Sequence, residues 1–288
     1  MTESLSNPRV HTERVVLRDD DEPGRRIGLR IDRWAEDDGP CPVVLLVHGF
    51  KGFMDWGFFP YVSHRFAAAG FVAVSVNTSG CGIGDDPFTL DDDEAFRRDS
   101  YTRELQDIAR ARAFARALDD VDADREILFG HSRGGGMALI SASEAPPSAV
   151  VTWSAIDDVD RFGEDVKQRW RDDGELCVPN ARTGQVHRMG LATLDDIETN
   201  RDRLDILAAA SRLDVPLLAL HGTADATVEP EAVHRIAERA RAGEAFLIDG
   251  ADHAMGAGHP LHSPEDIRTL QVAIDATLAF AVRHVLQS

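Results

Sequence analysis

The sequence predicts an α/β fold: a mainly parallel sheet of about eight strands, the first ones antiparallel, flanked by helices and forming one domain over residues 1–288. Three observations lead there. From Val43 onward, strand-like and helix-like segments alternate, which sets consecutive strands parallel with helices on both faces. Val43–Val47 is an unbroken Val/Leu run, the pattern of a strand buried on both sides. Finally, 288 residues that are 43% hydrophobic and 28% charged are ordinary globular material, and at this length one domain can bury about three quarters of its unfolded surface.

The elements follow in order. Thr12–Leu17 and Arg26–Trp34 partly alternate across the turn-like Asp19–Gly24, which predicts an antiparallel pair. After Gly39-Pro40 comes the buried strand Val43–Val47, then a second strand, Phe71–Val76. Leu105, Ile108, Ala115 and Leu118 recur at helical spacing and predict one helix over roughly Phe96–Leu118. Ile127–Phe129 is a short strand, Gly134–Ser143 a helix and Ala149–Trp153 a strand. Pro216–Leu220 and Ala245–Ile248 complete the sheet, with a helix near Pro230–Ala242 between them. In the last helix Ser263 is the expected cap, Pro264 suits the first position, and Glu265 and Asp266 suit the first-turn dipole; Ile267, Leu270, Ile274, Leu278 and Ala281 form its apolar stripe. One stretch breaks the rhythm. Residues 157–209 are rich in charge, poor in strong strands and contain the turn-like Asn180–Gly184, which predicts an insertion, a partly helical cap over the carboxyl ends of the strands.

Charge narrows the partners. Lys+Arg number 31 against 50 Asp+Glu, a formal charge of −19, and Lys51 and Lys167 are the only lysines. Such a surface repels nucleic acid and anionic lipid, so no nucleic-acid and no membrane partner is expected. Two explanations of the acidity stand side by side: the codon bias of a high-GC genome, or adaptation to a salty cytoplasm that screens the repulsion. Cys41, Cys81 and Cys177 are an odd, scattered set that spells neither a disulfide framework nor a CxxC metal site. The opening MTESLSNPRVHTERVVLRDD has no apolar core for a signal peptide, and no stretch approaches about 18 uncharged apolar residues. The expectation is a soluble, cytoplasmic protein; whether it forms a homo-oligomer is left open.

In open α/β sheets, sites gather at the carboxyl ends of the strands. Four segments lie there. Gly130-His131-Ser132-Arg133-Gly134, followed by Gly135 and Gly136, sits between a strand and a helix, the context of a nucleophile elbow. The turn is so tight that Ser132 is expected in a strained conformation, and Gly130 and Gly134 relieve the crowding on either side. A serine hydroxyl needs a base, and the base needs an acid to hold it. Asp225 follows the strand Pro216–Leu220 and His253 follows Ala245–Ile248, the chain order this architecture uses. His259 and His262 compete as the base and Asp252 sits beside it, but the short reach from the strand favours His253. His221 reads as a structural residue at its strand end, and His64 and His234 as packing or surface residues on helices. The fourth segment, His48-Gly49-Phe50-Lys51-Gly52, supplies the Phe50 amide as one oxyanion donor, with the Arg133 amide as the other. Taken singly, these are a glycine turn, a turn-forming Asp and a solvated His. Their joint placement carries the argument.

As a set, HGF, GHSRGG, HGTAD and GADH resemble the α/β-hydrolase superfamily, and within it bacterial serine hydrolases of the dienelactone-hydrolase-like or feruloyl-esterase-like kind. The segment HGFKGFMDWGFFP is similar to a loop of such members, and the likeness covers roughly Val43 onward. It implies the α/β-hydrolase fold, Ser132 as nucleophile, His253 as base, Asp225 as acid, Phe50 and Arg133 as oxyanion donors, and no cofactor. Dienelactone hydrolases themselves use cysteine where this chain has Ser132, which favours a carboxylic ester hydrolase working on a small-molecule ester through an acyl-enzyme. A peptidase, thioesterase or acyltransferase would use the same machinery, and a non-catalytic ligand-binding member of the fold is the alternative from another class. A dehalogenase would want a carboxylate at Ser132.

Phe53, Met54, Trp56, Trp153 and Met255 are candidates for an apolar substrate pocket, each with core packing as its equal alternative. No HExxH, no Walker A loop and no GxGxxG after the first parallel strand points to a metal or nucleotide. Gly80-Cys81-Gly82-Ile83-Gly84 resembles a phosphate loop, but Asp85-Asp86 would repel phosphate; it reads as a loop bordering the site.

Overall fold

Two antiparallel strands, β1 (Val10–Arg18) and β2 (Arg26–Trp34), pair in register from Val10↔Trp34 to Arg18↔Arg26. The structure, a computed structural model, describes residues 9–19, 21–22, 24–35, 39–84, 86–180 and 184–287; the Asp19–Gly24 and Asn180–Gly184 turns and Asp85 lie partly or wholly outside them. Next come β3 (Cys41–Val47), α1 (Phe59–Ala68), β4 (Val72–Asn77), α2 (Asp93–Arg97), α3 (Tyr101–Arg116), β5 (Val121–His131), α4 (Arg133–Glu144) and β6 (Ala149–Trp153). The chain then forms α5 (Glu164–Asp173), the hairpin β7 (Glu175–Pro179) and β8 (Val186–Gly190), α6 (Leu191–Thr199) and α7 (Ile206–Ser211). It closes with β9 (Leu217–Gly222), α8 (Ala232–Arg239), β10 (Gly243–Ile248) and α9 (Arg268–Ala281).

Eight strands form one sheet in the order β1-β2-β4-β3-β5-β6-β9-β10. Beyond the antiparallel β1–β2 and β2–β4 pairs every ladder is parallel. The unbroken apolar run of β3 is explained by its two neighbours across the sheet. Side chains alternate along a strand, so Val43, Leu45 and Val47 join Leu105 and Ile108 of α3, Met137 of α4 and Ile236 of α8. Val44 and Leu46 face the other way, onto Phe59, Val62 and Phe66 of α1 and Leu270 and Ile274 of α9.

Three expectations change in detail. The single helix over Phe96–Leu118 is two, because Ser100 leaves helical geometry (φ −154°, ψ 159°) and its Oγ accepts the Arg103 amide at 3.2 Å, capping α3. Ser263 does not cap the last helix: it is left-handed (φ 43°), and an N-cap needs extended backbone to aim its oxygen at the first turn. Pro264–Asp266 instead form a 3₁₀ turn and α9 starts at Arg268, with Ile267 and Leu278 only half-buried. Within 157–209, α7 packs on α4 and α8 in the helical layer beside the sheet. Further up, Trp170, Met189 and Leu194 join Phe53, Leu90 and Phe96 in a third apolar cluster, which ties α5 and the hairpin to the loop after β3.

Among the described residues one helix, Arg268–Leu286 (α9 plus a final π turn), is long and apolar enough to cross a membrane by length and composition alone. Leu270, Ile274, Phe280 and Val285 are instead in the core cluster under the sheet.

Candidate active site

β5 ends at His131 and α4 starts at Arg133, which leaves Ser132 alone in the turn with φ 56° and ψ −122°. For a residue with a side chain that costs about 1–3 kcal/mol and persists only under constraint. The constraint is visible. Ser132 N donates to Trp153 O at 2.9 Å, and Ser132 O accepts from Gly135 N at 3.0 Å and Ile156 N at 3.2 Å. A Cβ on Gly130 would stand 2.3 Å from Gly134 O, while one on Gly134 would stand 2.3 Å from His48 O and 2.5 Å from Val47 O. Gly134 is therefore dictated by the end of β3 rather than by residue 130.

The structure brings Ser132, His253 and Asp225 together. His253 Nε2 lies 3.0 Å from Ser132 Oγ, and His253 Nδ1 lies 2.8 Å from Asp225 Oδ2. Asp225 Oδ1 accepts the amides of Thr227 at 2.8 Å and Val228 at 3.0 Å, and Oδ2 also faces His221 Nε2 at 2.9 Å. Burial would raise the Asp225 carboxyl, but the hydrogen bonds from His221, His253 and the Val228 amide outweigh it and hold the group well below the usual carboxylate range. An ionised Asp225 only accepts, so His253 carries its proton on Nδ1 and presents the Nε2 lone pair to the Ser132 hydroxyl. The rival His259 is engaged elsewhere: its Nδ1 accepts the Gly57 amide at 3.0 Å and its ring stacks on Trp56. Asp252 serves its own turn, accepting the amides of Ala254 and Gly256.

His131 is a residue whose role the sequence hid. Its Nε2 donates to His253 O at 2.9 Å, and its ring packs 4.8 Å from that of His253. Burial and the neighbouring His253 push it down to about 3, so it stays neutral and tethers the backbone that carries His253. Its place inside the elbow motif was the available signal.

On the other side of Ser132, Gly49 lets the β3 loop approach so closely that a Cβ there would stand 2.9 Å from Ser132 Cβ. Neither the Phe50 nor the Arg133 amide has a protein acceptor among the described residues, and both residues line a cavity of about 530 Å³ that opens on Ser132 and His253.

Of the five pocket candidates, only Trp56 lines this cavity. Trp153 is fully buried in β6, its Nε1 donating to Thr277 Oγ1 at 2.9 Å. Phe53 packs in the third cluster and Met255 in the core under the sheet, because the apolar residues after these strands turn inward. Met54 is also buried, its amide donating to Asn77 Oδ1 at 2.6 Å. The walls come instead from Phe59, Tyr101, Ile156, Arg161, Phe162 and Met189. Ile156, Arg161 and Phe162 follow β6 and answer to the same strand-end rule that found Ser132. Tyr101 was hidden by the unbroken helix, and Met189 arrives from the hairpin, which left no local signal.

Behind the elbow the Arg133 side chain is buried. Its Nε donates to Glu104 Oε2 at 2.6 Å, an Nη donates to Asp99 Oδ2 at 2.7 Å, and its guanidinium lies 4.2 Å from the Tyr101 ring centre and 5.7 Å from that of Phe50. Two carboxylates on one buried cation leave a surplus negative charge. Burial pushes the Glu104 carboxyl up to about 7 against the pull of Arg133, and raises Asp99 as well.

Residues 44–268 match the model of the alpha/beta hydrolase family, and the chain belongs to that family. Among solved structures it is similar to Est1E from Butyrivibrio proteoclasticus, at 16% identity and a TM-score of 0.69 over 95% of this chain and 99% of that one. It is likewise similar to the esterase domain of a Rhodothermus marinus protein, at 20% identity and a TM-score of 0.64 over 96% and 99%. Likeness at these identities is likeness of fold.

Proposed function

We propose that this hydrolase is a serine esterase that cleaves small-molecule carboxylic esters through an acyl-enzyme. One observation carries the reading: a hydroxyl, an imidazole and an ionised carboxylate in hydrogen-bonded series (3.0 Å and 2.8 Å) on the wall of a cavity large enough for a small ester. In the proposed reaction, Ser132 Oγ attacks the ester carbonyl while His253 Nε2 takes its proton, and Asp225 stabilises the imidazolium. The Phe50 and Arg133 amides receive the oxyanion. His253 returns the proton to the departing alcohol, and water, activated by the same imidazole, frees the acid from Ser132. The esterase domain among its structural neighbours agrees with this reading.

A fluorophosphonate probe tests it, because the probe reacts with an activated serine whatever the natural ester. The wild type should be labelled at Ser132, Ser132→Ala should not be, and Asp225→Asn should react about 10⁴-fold more slowly because its imidazole loses the correct tautomer. Equal labelling of wild type and Ser132→Ala overturns the proposal. An intact, unlabelled wild type would favour a ligand-binding protein on the same fold. Turnover of an amide or a thioester faster than its matched oxygen ester would redirect the reading to a peptidase or thioesterase.

A further inference from the structure

Over the whole chain acids outnumber Lys+Arg 50 to 31. The cavity at Ser132 inverts this: among its described lining residues there is no Asp or Glu, and there are three cations, Lys51, Arg133 and Arg161. They are not equivalent. Arg133 has its charge answered from behind by Asp99 and Glu104. Lys51 Nζ donates to Pro179 O at 3.2 Å and sits 5.7 Å from the Phe50 ring centre. Arg161, on the exposed turn after β6, donates to Thr227 O at 2.6 Å, and no carboxylate among the described residues lies within ion-pair distance of it.

A guanidinium carries five N–H donors in a planar fork. The bond to Thr227 O pins the head at the cavity wall and leaves most of that fork uncommitted. Thr227 is itself the residue whose amide holds Asp225 Oδ1, so the cation is fixed to the loop that orients His253. A fork of this kind matches a carboxylate in two-point fashion, and the described wall it stands on carries no acid to compete for it. Phe162, Phe59 and Tyr101 offer aromatic surface in the same cavity. In a protein this acidic, an unanswered cation facing an acid-free cavity is a selective feature.

Resting on the esterase reading above, we infer that the substrate is an ester bearing a carboxylate beyond the scissile bond, and that Arg161 is the residue that selects it. Two probe pairs of matched shape test this. The ester 4-acetoxybenzoate against 4-acetoxybenzamide puts the charge in the alcohol portion; methyl 4-carboxybenzoate against methyl 4-carbamoylbenzoate puts it in the acyl portion. The wild type should prefer the acid over the amide in at least one pair by about 10- to 100-fold in kcat/KM, the size of one charge-assisted contact. That pair also tells which side of the ester meets Arg161. Arg161→Gln should bring the ratio close to unity, mainly through KM, Arg161→Lys should retain part of it, and Arg161→Glu should invert it. Labelling at Ser132 together with equal turnover of acid and amide by the wild type overturns the inference and leaves the esterase intact. So does a fall of both members of a pair by the same factor in Arg161→Gln, which would make Arg161 a brace for the Asp225 loop. No turnover of any probe and no fluorophosphonate labelling overturns the esterase, and the inference with it.

Discussion

Ser132 is held in an unfavourable backbone conformation by neighbours that leave no alternative, and the glycines after it divide that task unequally. The hydrogen Gly134 carries in place of a Cβ faces the carbonyls of Val47 and His48, which are backbone at the end of a central strand and have nowhere to go. Gly136 faces side-chain atoms, Ile206 Cδ1 at 2.6 Å and Ile156 Cγ1 at 3.0 Å, and its nearest backbone neighbour, Ile156 O, is farther off at 3.3 Å. Gly134→Ala should therefore lower stability by about 1–3 kcal/mol in thermal melts. It should also slow fluorophosphonate labelling by about a hundredfold, because the elbow and the Phe50 loop are displaced together. Gly136→Ala should stay within about 1 kcal/mol of the wild type, since the helix gains from losing a glycine. Equal losses from the two would mean that the clash with β3 is not what shapes the turn. At this scale the sequence was most legible where a short motif fixes a polar residue at a strand end, as for Ser132, Asp225 and His253, which the structure brings together. It was least legible for cavity walls. Phe53, Trp153 and Met255 are apolar and sit near strand ends, but whether such a side chain faces core or cavity depends on which face of the sheet it leaves, and three of them leave inward.

Among the elements, the sheet could be read because a parallel strand buried on both faces has an unmistakable composition, whereas helix boundaries could not. The interruption at Arg98–Ser100 leaves the apolar spacing of α3 untouched and depends on one hydroxyl capping one amide. Yet that interruption places Asp99 beside the start of α4, where with Glu104 it clamps Arg133. The clamp joins α3 to the first turn of α4 and makes a pH-dependent prediction. Removing the cation strands two buried carboxyls, so Arg133→Met should cost about 3–5 kcal/mol at pH 8. Both carboxyls already titrate above their ordinary values in the folded state, Glu104 near 7. Without Arg133 they shift further up. An acid whose folded pKa exceeds its unfolded one binds more protons when folded, so its penalty is absent below the ordinary carboxyl range and grows as pH rises through the window up to the folded value. The stability gap between wild type and Arg133→Met should accordingly narrow at pH 5 and widen at pH 8, and Asp99→Asn with Glu104→Gln in the Arg133→Met background should close much of it. A gap that does not change with pH would mean the loss is packing against Tyr101 and not charge.

Across the whole molecule the charges sort by depth. Four buried arginines are answered by buried acids: Arg112 by Glu126, Arg30 by Asp32 and Asp55, Arg25 by Asp107, Arg133 by Asp99 and Glu104; the buried Lys167 reaches outward to Asp160 and Glu164. The surplus that makes up −19 therefore resides mainly on the surface, at residues such as Asp119, Asp195 and Asp202. Salt acts on the two populations with opposite signs. It weakens exposed ion pairs such as Arg283–Glu244 and Arg241–Asp214, but these contribute only about 0–1 kcal/mol each. It also relieves the mutual repulsion of the unpaired acids, which acts between many charges at once and is cut off beyond about 10 Å at 0.1 M. The deep pairs lie out of its reach. Repulsion should dominate, so raising KCl from 20 mM to 0.5 M at pH 7.5 should raise the thermal midpoint of the wild type. Exchanging exposed acids that have no ion-pair partner among the described residues, Asp119→Asn, Asp195→Asn and Asp202→Asn, should raise it at low salt and reduce the further gain from KCl. If the midpoint is flat or falls with salt, the surface acids are already too well spaced to strain the fold. Adaptation to a salty cytoplasm would then be ruled out as their explanation, leaving the codon bias of the genome.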